Sequence, residues 1–306
     1  MNDCFRKAMT LAWLLICIWP AAALAKVPVF VSILPQQYFV EQIGGSFVDV
    51  QVMVLPGASP TTYEPKSRQM AAIAKTKLYF SIGVPFEAVW LERIVASNRN
   101  LRVVPMDRGI QKIAMVSHHS HEKTGQHTDR QVLSDGDGEA MHHGNPDPHI
   151  WLSPPLVMQQ AHTVLAALQN IDPENGPGYK ANFQAFILQV MALDKELRHL
   201  LEPYRGQRFM VFHPAWGYFA DTYHLEQMPV ELEGKALKSA QLKTLITTAR
   251  KNCIKVLFLQ PQVSAKIAEQ VAKEIGAQVA WADPLALDWD GNLRSMARKF
   301  QQAMEE

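Results

Sequence analysis

The fold is organised around the stretch Asp147-Pro148-His149-Ile150-Trp151-Leu152-Ser153-Pro154. This stretch leads from a turn stiffened by a proline directly into the start of a helix. Pro148 keeps the residue before it extended, Ser153 is a natural N-cap residue, and Pro154 fits the first helical position. The sequence therefore predicts that His149 lies in a stiff segment just before a helix.

Two further stretches join a donor residue to an apolar run. His213-Pro214-Ala215-Trp216-Gly217 follows residues 209–212, and Asp283-Pro284-Leu285 follows residues 278–281. Both donors are therefore predicted at the C-terminal ends of buried strands, where open α/β sheets bind their ligands. Two imidazoles and a carboxylate brought together, from His149, His213 and Asp283, would form a site for a divalent metal ion.

The rest of the chain alternates between short β-branched runs and amphipathic segments, which is typical of α/β folds with largely parallel sheets. Predicted strands cover residues 27–34, 48–55, 78–82, 101–105, 209–212, 227–232, 256–260 and 278–282. Predicted helices cover residues 36–43, 67–74, 86–96, 155–168, 217–223, 239–252, 264–276 and 292–304. The fold class predicted is α/β, with two lobes.

A long amphipathic stretch separates the two halves. Its apolar residues recur at three- and four-residue spacing from Phe183 to Leu201 and stop before Pro203. This pattern predicts one helix of roughly 35 Å, at about 1.5 Å per residue, long enough to run along both lobes. We therefore expect a first lobe at residues 26–172, a linking helix at 173–203 and a second lobe at 204–306.

Residues 1–25 have the pattern of a secretory signal peptide. Arg6 and Lys7 precede the apolar run 11–19, and Ala23-Leu24-Ala25 is a small-residue cleavage site. We therefore expect export to the periplasm, with cleavage near Ala25. A lipoprotein anchor at Cys17 is the alternative, although a bulky isoleucine before that cysteine fits lipoprotein processing poorly.

The exported chain is close to neutral, because the signal removes two of 30 basic residues and one of 29 acidic residues. A neutral chain argues against a nucleic-acid partner. No later apolar run reaches the ~20 residues of a membrane span. Cys253 is the one cysteine left, so no internal disulfide is expected, and the thiol is interpreted as half-buried and structural.

Residues 116–146 interrupt the alternation. They hold six of the eleven histidines, together with acidic residues and glycines. Histidine-rich tracts without a core bind metal weakly, so we expect a mobile auxiliary loop with His142 and His143 as candidate ligands. The alternative is a solvated insertion whose histidines are incidental.

The motifs around the candidate ligands resemble those of the metal-specific solute-binding proteins of bacterial ABC importers. These are the zinc and manganese receptors related to ZnuA and TroA. The similarity covers nearly the whole exported chain and rests on several motifs in order: Pro56-Gly57-Ala58-Ser59-Pro60, Tyr63-Glu64-Pro65, residues 147–151, His213-Pro214-Ala215-Trp216-Gly217-Tyr218-Phe219, Glu233-Gly234-Lys235, Gln260-Pro261-Gln262-Val263-Ser264 and Asp283-Pro284-Leu285-Ala286. It implies Rossmann-like lobes with a helical backbone and a membrane ABC permease as partner. A monomer is expected.

The resemblance also implies a ligand set of three histidines and one acidic residue. Three of these carry over, to His149, His213 and Asp283, but Thr61 stands where the first histidine is expected. A neutral hydroxyl is a poor zinc ligand, so we expect the fourth position to hold water. The alternatives are His142 or His143, then Glu64 or Glu87.

The function expected is periplasmic capture of a divalent metal and delivery to the permease, without catalysis. Nitrogen and oxygen ligands suit Zn²⁺ but also Mn²⁺ or Fe²⁺, and the histidine-rich segment favours zinc. A metallohydrolase is the alternative from another class, because three ligands and an open position describe catalytic zinc. No His-Glu-x-x-His helix supports it. A third interpretation is a periplasmic metal buffer that works without a permease.

Overall fold

The computed structural model describes residues 26–115, 146–230, 239–262 and 265–305. The predicted signal peptide and the histidine-rich segment, including His142 and His143, lie outside the described residues, apart from Pro146. Within the described ranges, no helix is long and apolar enough to cross a membrane.

The first sheet has four parallel strands in the order β2-β1-β3-β4. They are β1 (Val27–Val31), β2 (Val48–Val52), β3 (Leu78–Ser81) and β4 (Arg102–Pro105). The helices between them are α1 (Leu34–Gly44), α2 (Ser67–Ile73) and α3 (Pro85–Ser97). Val29 and Phe30 of β1 are each 1% exposed, as expected for a central parallel strand covered on both faces.

Two helices follow the first sheet: α4 (Pro154–Ile171) and α5 (Gly176–Leu201). With 26 residues, α5 is about 39 Å long at 1.5 Å per residue. Its buried positions recur at helical spacing and include Tyr179, Phe186, Val190, Leu193 and Leu197. This confirms the predicted long helix.

The second sheet repeats the topology of the first, with parallel strands in the order β6-β5-β7-β8. They are β5 (Arg208–Val211), β6 (Glu226–Pro229), β7 (Val256–Leu259) and β8 (Gln278–Trp281). The helices are α6 (Gly217–Tyr223), α7 (Ser239–Lys251), α8 (Ala265–Ile275) and α9 (Trp289–Glu305). The predicted fold class is confirmed: two α/β lobes with parallel sheets, joined by a long helix.

The lobes share one hydrophobic core. A single buried cluster takes residues from both sheets and from α1, α4, α5 and α9, while a smaller one lies between the second sheet and α7 and α8. Trp289 of α9 is 1% exposed, and its ring centroid lies 5.1 Å from that of Phe39 in α1. Its indole N–H donates to the carbonyl oxygen of Trp151 at 2.6 Å. The two lobes are therefore packed directly against each other as well as linked by α5.

Candidate metal centre

His149 lies where the sequence predicts it, in a stiff segment before a helix. A 3-10 turn at Ile150–Leu152 follows it, and α4 begins at Pro154 with Ser153 as N-cap. One detail differs from expectation. The hydroxyl of Ser153 makes no capping hydrogen bond but lies 2.8 Å from the hydroxyl of Thr222 in α6, so the N-cap residue joins the two lobes.

The imidazole of His149 is almost fully buried, at 8% exposure. Its Nδ1 lies 2.6 Å from Oδ1 of Asp147, and its ring centroid lies 5.0 Å from that of Trp151. Burial lowers the pKa of His149, the carboxylate of Asp147 opposes this, and electrostatic interaction with the neighbouring His213 imidazole lowers the pKa further. The ring is therefore neutral at neutral pH, which is the form that binds a metal ion.

His213 follows β5, a central strand of the second sheet. The chain runs from β5 outward to β6 and then returns to β7 on the other side, so the C-terminal end of β5 borders a topological switch point. The ring centroid of His213 lies 5.3 Å from that of His149, with the ring planes at 70°. The structure therefore brings together one histidine from each half of the chain.

Asp283 follows β8 and lies at a cleft between the lobes. Its Oδ1 accepts the N–H of Leu285 at 3.0 Å, and its carbonyl oxygen accepts the side-chain N–H of Asn292 at 2.7 Å. The cleft has a volume of about 260 Å³ and is otherwise lined by apolar residues, proline and glycine: Ile33, Leu34, Val54, Leu55, Pro56, Gly57, Leu285, Ala286 and Leu287. Among the described residues that line this cleft, Asp283 is therefore the one with an ionisable side chain.

The three predicted ligands are not gathered into one compact group. Among the residues that the structure describes, no three His, Cys, Asp or Glu side chains are placed to hold one metal ion. The strand order spaces two of the three predicted ligands along the edge of the second sheet. β7 lies between β5 and β8, so His213 and Asp283 start from strand ends about 10 Å apart, at about 4.8 Å per strand. The ligand set of His149, His213 and Asp283 stays a prediction.

The candidates for a fourth ligand differ in exposure. Thr61 and Glu64 are both exposed, and the backbone N–H of Thr61 donates to Oγ of Ser59 at 3.3 Å. Glu87 is 6% exposed, and its carboxylate accepts hydrogen bonds from the hydroxyl of Ser32 and from two backbone N–H groups after β3. These bonds give Glu87 a structural role at the end of the first sheet. Its burial raises the pKa, which the hydrogen bonds oppose.

The surroundings of two other residues differ from what the sequence predicts. Cys253 is exposed, not half-buried, and has a positive φ of 50° in the turn after α7. Asp147 was interpreted only as part of a turn, yet its carboxylate contacts the backbone and the ring of His149. The Asp-x-His spacing is the signal that could have indicated this contact, since an aspartate can bond the backbone two residues on.

Comparison with known proteins gives a consistent result. Residues 29–305 match the family model described as zinc-uptake complex component A, periplasmic. A crystal structure of a ZnuA deletion mutant with zinc bound is 40% identical, with a TM-score of 0.79, and the alignment covers 91% of this chain and 98% of that one.

Curated relatives include the high-affinity zinc uptake system protein ZnuA of Yersinia pestis. It is 26% identical over 294 residues, which cover 91% of each chain. The zinc-binding protein AdcA of Streptococcus pyogenes serotype M3 is 25% identical over 276 residues, covering 90% of this chain and 53% of AdcA. The chain therefore spans about half the length of the AdcA relatives that it matches.

Proposed function

The chain belongs to the family of the periplasmic zinc-uptake complex component A, and from this premise we propose that it captures a zinc ion in the periplasm and delivers it to the permease of an ABC importer. The observation that carries this proposal is the 5.3 Å separation of the His149 and His213 rings, which come from different lobes. Two imidazoles at this separation can turn their nitrogens toward one ion.

The donor chemistry supports a divalent ion of intermediate softness. Imidazole nitrogens and the Asp283 carboxylate suit zinc, and they also suit manganese or iron. The 40% identical ZnuA structure holds zinc, and the curated relatives are named for zinc uptake or zinc binding, so we assign zinc as the first cargo.

Under this proposal, binding of the zinc ion draws the Asp283 carboxylate toward the two imidazoles. A carboxylate in a cleft whose other described lining residues carry no charge attracts a cation, because none of those neighbours competes for it. Water completes the coordination, since the exposed hydroxyl of Thr61 offers only a weak ligand.

Under this proposal, the protein is a carrier of the metal ion and not an enzyme. The metallohydrolase alternative is not supported: the matched family is an uptake component, and the relatives reported above are named for uptake or binding. Assays of the zinc-loaded protein with ester and phosphate substrates should give no turnover above free zinc. Turnover that His149→Ala removes would restore the hydrolase hypothesis.

Titration calorimetry of the metal-free protein tests the cargo. We expect one tight zinc site per chain and weaker binding of manganese. Uptake is tested in a strain that lacks this chain, where zinc accumulation should fall and the wild-type protein should restore it. Tight zinc binding without any effect on accumulation would indicate a periplasmic buffer in place of a permease partner.

A further inference from the structure

The backbone of Asp147 is hydrogen-bonded to residues of both lobes. Its side chain is 1% exposed, so almost no water reaches it. Its N–H donates to the carbonyl oxygen of Ile113 in the first half of the chain at 2.9 Å. Its carbonyl oxygen accepts the hydroxyl of Tyr218, in α6, at 3.0 Å. These two bonds fix the backbone of Asp147, and with it the starting position of the carboxylate, between the two halves of the chain.

One oxygen of this carboxylate is used entirely by His149. Oδ1 accepts the backbone N–H of His149 at 2.9 Å and lies 2.6 Å from its Nδ1. An ionised carboxylate only accepts hydrogen bonds, so Nδ1 carries the proton. The other ring nitrogen, Nε2, then keeps its lone pair for a metal ion.

The second carboxylate oxygen of Asp147 lowers the stability of the folded state. Oδ2 is buried and has no hydrogen-bond partner within the described part of the chain. An unsatisfied buried acceptor destabilises the folded state, because it loses its hydrogen bonds to water and gains none in the protein. By contrast, Asp172, another aspartate that precedes a proline, bonds Tyr179 at 2.6 Å and Asn175 at 2.8 Å. Stability alone therefore does not account for the carboxylate of Asp147.

A glycine makes room for this unpaired oxygen. A Cβ added at Gly217 would lie 2.9 Å from Oδ2 of Asp147 and 3.1 Å from Nε2 of Gln227. An alanine here would therefore force the carboxylate or the start of α6 to move. Gly217 follows His213 by four residues, so the segment that carries the second histidine packs closely against the carboxylate that holds the first.

We propose that Asp147 is a positioning residue for the metal centre, holding His149 as the Nδ1–H tautomer with Nε2 directed to the ion. Gly217 is the small residue that lets the segment after His213 close over it. This inference rests on the proposed function, because it takes His149 as a ligand.

The test combines zinc calorimetry with NMR of ¹⁵N-labelled imidazoles in the metal-free protein. Asp147→Ala should lower zinc affinity about 10- to 100-fold, the usual effect of removing a partner of a metal-bound histidine. The Nδ1–H tautomer of His149 should lose its dominance in the same variant. Asp147→Asn keeps an acceptor and should recover part of both. A general structural defect would not move the tautomer.

Two controls match these changes. Asp172→Asn alters a half-buried, hydrogen-bonded aspartate that also precedes a proline but lies outside the metal centre, and it should leave zinc affinity unchanged. Gly217→Ala should weaken binding, whereas Gly176→Ala, whose added Cβ meets nothing closer than 3.9 Å, should not. If Asp147→Ala does not fold, Asp147→Asn and Gly217→Ala carry the test.

The outcomes separate this inference from the proposed function. Wild-type affinity in His149→Ala would overturn the metal centre itself. Loss of binding in His149→Ala with wild-type affinity in Asp147→Ala would overturn the positioning role alone. Reduced affinity with the His149 tautomer unchanged would also overturn it.

Discussion

The indole N–H of Trp151 donates to the carbonyl oxygen of Pro284 at 2.7 Å, although 133 positions separate the two residues in the chain. Trp151 lies two residues after His149, and Pro284 directly follows Asp283. The bond therefore ties the segment that carries the first predicted ligand to the segment that carries the third. Both residues are buried, so the bond is shielded from competing water.

Trp151→Phe should remove this bond while keeping most of the ring packing. The Pro284 carbonyl would lose its partner, at a cost of about 1–3 kcal/mol of folding free energy. If Asp283 binds the metal, zinc affinity should fall as well, because the segment is less well placed. Thermal unfolding and calorimetry measure the two effects.

Trp289→Phe is the matched control, since it removes the 2.6 Å bond to the Trp151 carbonyl without touching Pro284. It should lower the melting temperature and leave zinc affinity close to that of the wild type. Equal affinity in Trp151→Phe and the wild type would argue that the placement of Asp283 does not matter for binding.

The fold could be predicted because hydrophobicity reports burial, and burial follows the β/α alternation. The same property limits the prediction of strand ends. The first strand was predicted through residue 34 but ends at Val31, while Ile33 beyond it is still 0% exposed. Apolar residues such as Ile33 stay buried after the strand has ended, because they still cover the core beneath the candidate site. Hydrophobicity alone therefore does not show where the regular strand ends.

The site was predicted less completely, because its contacts join distant parts of the chain. The donor residues could be found from proline-braced turns after apolar runs. Their separation could not, since it depends on β7 lying between β5 and β8. The hydrogen bonds of Glu87 and the contact of Asp147 with His149 likewise depend on neighbours that sequence spacing alone does not establish.

His149→Ala and His213→Ala should each lower zinc affinity by orders of magnitude and leave the fold intact. A centre with few ligands has no substitute for a lost imidazole nitrogen. Calorimetry gives the affinity and circular dichroism the fold. His199→Ala, on the exposed face of α5, is the control and should bind like the wild type. Unchanged affinity in either of the first two variants would show that the ion binds elsewhere.

Deleting residues 117–143 should remove weak metal equivalents and keep most of the tight one. Ala114 and Pro146, which flank the segment, already form an antiparallel bridge, so a short linker can join the ends. Stoichiometry from calorimetry is the readout. Loss of the tight equivalent would make a histidine of this segment a primary ligand.

Asp290→Asn should destabilise the junction of α1, α5 and α9. The carboxylate accepts bonds from Arg294 at 2.7 Å, Tyr38 at 3.2 Å and Gln189 at 3.2 Å. Burial alone would raise the pKa of Asp290, but these bonds and the Arg294 charge outweigh it and lower the pKa. Hydrogen bonds to a charged group contribute roughly 1.5–3 kcal/mol.

The lowered pKa fixes the sign of the pH dependence. The stabilisation is complete above the ordinary aspartate pKa of about 3.9 and is lost as pH falls through the lower folded-state pKa. The difference in unfolding free energy between wild type and Asp290→Asn should therefore be constant near neutrality and shrink below about pH 4. Asp49→Asn, at an exposed position on β2, is the control and should leave the unfolding free energy near neutral pH close to that of the wild type. A gap that widens in acid would contradict the assignment.

Thr61→His should tighten zinc binding, on the order of tenfold, if this position faces the ion and water holds the fourth site in the wild type. The loop offers a fixed base for the new ring, because the N–H of Phe86 donates to the carbonyl oxygen of Pro60 at 3.1 Å. An imidazole held there replaces a labile ligand with little ordering cost. Thr62→His, at the neighbouring exposed position, controls for the mere addition of a histidine and should leave affinity unchanged. Calorimetry compares the two variants, and zinc-edge anomalous scattering from crystals of the loaded Thr61→His protein shows whether the new nitrogen reaches the metal. If both variants bind like the wild type, the fourth ligand comes from another part of the chain, and the histidines at 142 and 143 become the first residues to substitute.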